Sequence, residues 1–204
     1  MKTRITAGAG ALALAVTLAA CGSADETTVP GTTESSTQST DDGAVDAGHN
    51  DADTEFAQMM IVHHQGAIEM ADLAIEKAAS EDVRALAERI SAAQGPEIDE
   101  MTSWLQAWGE EGPQDADMGG MDHGGMDMGG MDMESAMTEL ESLSGAEFDR
   151  AFLEMMIEHH RGAIEMAETE VADGANPQAT SLAERIIDDQ AAEITEMEQM
   201  LQEL

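Results

Sequence analysis

Met59-Met60-Ile61-Val62-His63-His64-Gln65-Gly66-Ala67-Ile68-Glu69-Met70-Ala71 returns 96 residues later as Met155-Met156-Ile157-Glu158-His159-His160-Arg161-Gly162-Ala163-Ile164-Glu165-Met166-Ala167. The match begins upstream at Phe56 and Phe152. It resumes at Leu86-Ala87-Glu88-Arg89-Ile90 against Leu182-Ala183-Glu184-Arg185-Ile186, and continues through Gln94/Gln190, Glu97-Ile98/Glu193-Ile194, Met101/Met197 and Leu105/Leu201. Ungapped self-similarity of this length marks a duplicated supersecondary unit. Asp72 to Ala85 and Glu168 to Ser181 have diverged, so identity has persisted in some places and drifted in others.

Within each copy the apolar positions recur at steps of three and four. Phe56, Met59/Met60, His63, Ala67, Met70 and Ala74 form one stripe of an amphipathic helix. Ser80, followed by Glu81 and Asp82, suits the start of a second helix. In the second copy Ser144-Gly145-Ala146-Glu147 has the form of a capping box. Gly174 ends that helix, and Asn176-Pro177 opens the last one with a cap and a first-turn proline. Gly95-Pro96 is expected to bend the second helix, and its counterpart Ala191-Ala192 is not. Strand signals are absent from the sequence. One hairpin of about 50 residues buries too little surface to stand alone, so the expected fold is all-α: two duplicated hairpins in one four-helix bundle.

The expected organisation is a signal peptide over 1–20, an acidic Ser/Thr-rich disordered tether over 21–50, a first hairpin over 51–111, a flexible connector over 112–143 and a second hairpin over 144–204. Lys2 and Arg4 precede an apolar stretch too short to span a bilayer comfortably. Leu18-Ala19-Ala20-Cys21 resembles the bacterial lipoprotein signal, in which the cysteine is lipidated and becomes the mature N-terminus. Cys21 is the single cysteine of the chain, which excludes an internal disulfide and a cysteine-rich zinc or iron–sulfur site. The reading is therefore an exported lipoprotein on the outer face of the cytoplasmic membrane, or facing the periplasm. With 43 acidic against 8 basic residues and a net charge of -35, the chain has no basic surface for nucleic acid.

The chemistry is concentrated in two places. His63-His64 and His159-His160 sit on helical stripes, with Met59, Met60 and Met70, and Met155, Met156 and Met166, around them. Met101 and Met197 approach from the partner helices. Imidazole with thioether suits copper, and thioether favours Cu(I), with Ag(I) as its mimic. Core packing is the plainer alternative; the recurrence of the His pair and its methionines in both copies favours ligation. A di-iron centre needs Glu-x-x-His at three-residue spacing, but His63 is preceded at that spacing by Met60 and His159 by Met156. The connector is the second place: Met118, Met121, His123, Met126, Met128, Met131 and Met133 stand in a repeating Gly-Gly-Met-Asp pattern. Glycine at that density builds no packed core, so these side chains read as soft-metal ligands.

The doubled Met-x-x-x-His-His-x-x-Ala-x-x-Met-Ala motif resembles the bacterial family called domain of unknown function 305, over about residues 52–204 without the connector. The resemblance implies a ferritin-like bundle exported from the cytoplasm, with the motif His and Met as binding residues. Some relatives are periplasmic copper-binding proteins of the CopM kind. The expected function is buffering, sequestration or transfer of copper, with copper ions, the membrane through Cys21, and a copper transporter or chaperone as partners. A structural or partner-binding envelope bundle and a cuprous oxidase are the alternatives.

Overall fold

The computed structural model describes residues 45–113 and 133–204. Its described elements are α1 (Asp51–Lys77), α2 (Glu81–Trp108), α3 (Met133–Ser142), α4 (Gly145–Asp173) and α5 (Pro177–Glu203). The hairpins α1/α2 and α4/α5 pack through α1 against α4, giving the four-helix bundle that the repeat predicts.

The apolar stripes close into two clusters. One joins the last half of α1 to the first half of α4 through Met70, Ala74, Phe148, Phe152 and Met156, with Leu86, Ile90 and Met197 from the partner helices. The other joins the first half of α1 to the last half of α4 through Phe56, Met60, Ala163 and Ala167, with Met101, Trp104, Leu182 and Ile186. α1 and α4 therefore run antiparallel, and in both the His pair falls between the two clusters, at the waist of the bundle. Each fully buried Met, Leu or Phe contributes roughly 1.5–3 kcal/mol, so the waist is clamped from both ends.

Two buried aspartates lock the hairpins together. Asp53 accepts from the backbone N–H of Asn176 at 2.8 Å and of Ala175 at 3.1 Å. Asp149 accepts from Ala79 at 2.9 Å and Ser80 at 2.8 Å. The pairs are related by the same offset of 96, and each carboxylate caps the loop of the other hairpin. Burial would raise the pKa of Asp53, but donors from Asn176, Asn50 and Ala175 and the carboxyl of Glu170 hold it below the usual 3.8. Glu170, buried beside it, is pushed up to about 8 by burial and by Asp53.

Caps form where side-chain acceptors reach the first-turn amides. Ser80 accepts from Asp82 and Val83, and Asn176 from Gln178 and Ala179. The Ser144–Glu147 capping box does not form: the Ser144 side chain makes no cap hydrogen bond, and Gly145 enters α4 with φ of 65°. The capping box is at Asn50 and Asp53 instead. α2 is continuous through Pro96.

Two expected boundaries shift. The tether gives way to packed chain before residue 50. Asp46 O accepts from the Trp108 indole at 2.8 Å, Gly48 O from Asn176 Nδ2 at 2.8 Å, and the His49 ring stacks on Trp108 with centroids 4.6 Å apart. The last third of the connector is also helical: α3 buries Ala136 and Leu140 against the bundle. Lys77 Nζ donates to its C-terminal carbonyls, Leu140 O at 3.1 Å and Glu141 O at 2.6 Å. Apolar residues at 133, 136, 137 and 140 give the segment a helical stripe of its own once the Gly-Gly pattern ends. Cys21, the signal peptide and connector residues 114–132 lie outside the described residues. Among the described residues no helix is long and apolar enough to cross a membrane.

Candidate metal centre

All four motif histidines are buried: His64 and His160 completely, His63 and His159 to within 3%. Neighbours on a helix differ by about 100°, so the two members of each pair face different surroundings. His63 and His159 meet across the α1–α4 interface, ring centroids 3.6 Å apart and planes tilted by 43°. His64 and His160 turn toward the partner helix of their own hairpin. His64 Nε2 is 2.7 Å from Glu97 Oε2 on α2, and His160 Nε2 is 2.7 Å from Glu193 Oε2 on α5.

This pairing fixes the chemistry of the rings. In the neutral imidazole the proton sits on Nε2, donated to the carboxylate, and Nδ1 keeps its lone pair. Nδ1 of His64 and of His160 is buried without a hydrogen-bond partner. A metal-binding imidazole is characteristically held this way, its far nitrogen donating to a carboxylate that fixes the tautomer and raises the basicity of the near one. Both ring nitrogens of His159 are buried as well. Burial, and then the neighbouring imidazoles of His63, His160 and His64, hold its pKa well below the usual 6.5, so it is neutral at physiological pH. An unsatisfied buried polar atom costs about 1–3 kcal/mol, a cost that an ion accepting those lone pairs removes.

The methionines divide into three groups. Met60 and Met101 are enclosed in the Trp104 cluster, with Met166 partly buried against it. Met70, Met156 and Met197 are enclosed in the Phe152 cluster, with Met155 partly buried against it. Met59 is buried on α1. Met133 is the one predicted connector donor that falls within the described residues, and it stands at the waist: a Cβ placed on Gly66 would lie 2.5 Å from Met133 Cε, 3.5 Å from its Sδ and 3.5 Å from His159 Nε2. The other connector donors, Met118, Met121, His123, Met126, Met128 and Met131, lie outside the described residues. Among the described residues no three His, Cys, Asp or Glu side chains converge as a metal-binding group. Imidazoles taken in ones and twos, with thioether, suit a low-coordinate soft ion.

The model of the family described as domain of unknown function (DUF305) matches residues 53–201. The chain belongs to the DUF305 family. Solved DUF305 relatives share its fold. A Streptomyces coelicolor DUF305 structure is 34% identical with a TM-score of 0.67, covering 74% of this chain and 93% of that one. CopM in its Cu(II)-bound form is 35% identical with a TM-score of 0.62, and in its Cu(I)-bound form 33% identical with 0.60; each covers 74% of this chain and 96% of CopM. CopM has also been solved with silver. Curated protein sequences include no match to the chain.

Two features of this DUF305 bundle were open to sequence reading and missed. Glu97 and Glu193 match in the repeat and follow His64 and His160 by 33 residues each, a spacing that a hairpin can close. Asp53 and Asp149 match just ahead of the first aligned phenylalanines. Met133 as a neighbour of the waist, by contrast, carries no signal beyond the helical stripe that follows it.

Proposed function

We propose that the protein is an extracytoplasmic copper-binding protein, held to the membrane through lipidated Cys21, that buffers, sequesters or hands on Cu(I), with Ag(I) as mimic. The observation that carries the reading is the imidazole cluster: four histidines buried at one level of the bundle, two of them tied at Nε2 to a glutamate and left with a free Nδ1 lone pair. The copper- and silver-bound states of CopM support it, at about a third identity.

In this reading the core takes the ion at His63/His64 and His159/His160. The surrounding methionines provide a polarizable, water-poor shell in which a weakly hydrated monovalent ion competes well against Zn(II). The connector donors from Met118 to Met131 form a second, weaker set that first captures the ion. The acidic surface raises the local concentration of cations.

Equilibrium dialysis against Cu(I) under reducing conditions, with metal analysis, tests this. His63→Ala with His159→Ala should abolish the tight fraction, and deletion of 118–131 should remove only the weak one. Unchanged stoichiometry in both variants refutes the assignment. Cu(I) should also raise the melting temperature of the parent, since a ligand that binds only the native state stabilises it.

A further inference from the structure

A cavity of about 190 Å³ opens at the waist, lined by His63, Gly66, Glu69, Met133 and His159 among others. Four of these belong to the duplicated helices. Met133 does not: it is the last methionine of the Gly-Gly-Met-Asp pattern and the first residue of α3, an element that the first hairpin lacks. From these contacts we propose that Met133 is a thioether ligand of the core site, and that it determines the site's preference for a soft monovalent ion. The inference rests on the copper reading of the imidazole cluster.

Three observations place it there. Gly66 has no side chain, and the space a Cβ would take is occupied by the end of Met133, with His159 Nε2 on the same boundary. α3 is fixed at its far end, where Ala136 and Leu140 are buried and Lys77 holds its last carbonyls. Contacts at Gly66 and at Lys77 lay α3 alongside α1 in the same sense, which sets Met133 over the cavity. Glu69 is exposed at the rim, where its charge draws cations toward the opening.

A glycine in a helix interior costs about 1 kcal/mol relative to alanine. Gly66→Ala therefore gives a variant that favours the helix yet pushes the flexible tip of Met133 out of the cavity. Met133→Leu keeps the bulk and removes the sulfur.

The experiment uses the full chain with Met118, Met121, Met126, Met128 and Met131 changed to Ser and His123 to Ser, so that Met133 is the one donor left of the Gly-Gly-Met-Asp pattern. Loaded with one equivalent of Cu(I), this parent should show a sulfur scatterer beside nitrogen in X-ray absorption. Met133→Leu should lose the sulfur and weaken Cu(I) binding by about tenfold or more in competition with a chromophoric chelator, while Zn(II) affinity changes little. Gly66→Ala should follow Met133→Leu in affinity with no fall in melting temperature, which a packing role for Met133 does not predict. Nitrogen-only coordination in the parent, with both variants within twofold of it, overturns the inference alone. If the parent's imidazoles take up no Cu(I), with binding indifferent to His63→Ala and His159→Ala, this inference falls together with the reading on which it rests.

Discussion

Glu97 and Glu193 are the side chains whose removal separates a metal centre from a set of buried histidines. Each carboxylate oxygen lies 2.7 Å from an imidazole Nε2 that is wholly enclosed. Outer carboxylates of this kind contribute about 10–100-fold to metal affinity, or about 1.4–2.7 kcal/mol. Glu97→Ala alone should weaken Cu(I) binding by that factor, and Glu193→Ala by the same factor, because the two geometries are equal. The double variant distinguishes one ion from two. If both rings serve one ion the losses multiply to about 10²–10⁴; if each serves its own, each single change weakens half the stoichiometry. Truncation also strands a buried Nε2, which should cost the fold about 1–3 kcal/mol, read as a lower urea midpoint. Glu97→Gln retains an acceptor and should recover most of that stability, but without the negative charge it should leave part of the affinity loss in place. Competition against a chromophoric Cu(I) chelator gives the affinities. Affinities within twofold of the parent in Glu97→Ala and Glu193→Ala, with the fold intact, would refute the assignment of His64 and His160 as ligands.

Asp149→Ala leaves two part-buried amide donors unanswered at the first hairpin loop, so equilibrium denaturation should show a loss of about 2–4 kcal/mol, and Asp53→Ala at least as much; a loss below about 1 kcal/mol would contradict the interlock. Glu170 keeps its proton in the fold up to about pH 8, while the unfolded chain releases it near 4.5. The native state thus binds more protons across that window, and its contribution to stability is fully present below 4.5 and falls by up to about 1.4 kcal/mol per pH unit as pH rises toward 8. Glu170→Gln should flatten that part of the pH–stability profile and raise stability at pH 8. Lys77→Met removes two hydrogen bonds to the end of α3 and should speed amide hydrogen exchange in 133–142 while α1 and α4 stay protected.

The fold was readable because its evidence is periodic. Repeats at 96, apolar steps of three and four, and cap residues at Ser80 and Asn176 each follow from local geometry. The His pairs were readable for the same reason, since they sit on a stripe that otherwise holds only apolar side chains. What sequence could not convey was which ends meet. Met60 is grouped with Met101, and Met70 with Met156 and Met197, a pairing set by the antiparallel crossing of α1 and α4 and not by either helix alone. Similarly, a Gly-rich pattern argued for loose chain throughout 112–143, yet four apolar residues after it suffice to seat α3. At Ser144 a favourable capping motif goes unused, and the residue that follows is a glycine at φ of 65°.

The reciprocal aspartates make each hairpin dependent on the other for closing its own turn. Neither half carries the acceptor for its loop amides, so a fragment ending after α2 is not a small stable protein but an incomplete one. Unfolding should accordingly proceed in a single concerted transition despite the obvious duplication, and the four imidazoles assemble only once both halves have met. In the proposed reading, the capacity to hold an ion between the two halves is thereby tied to complete folding.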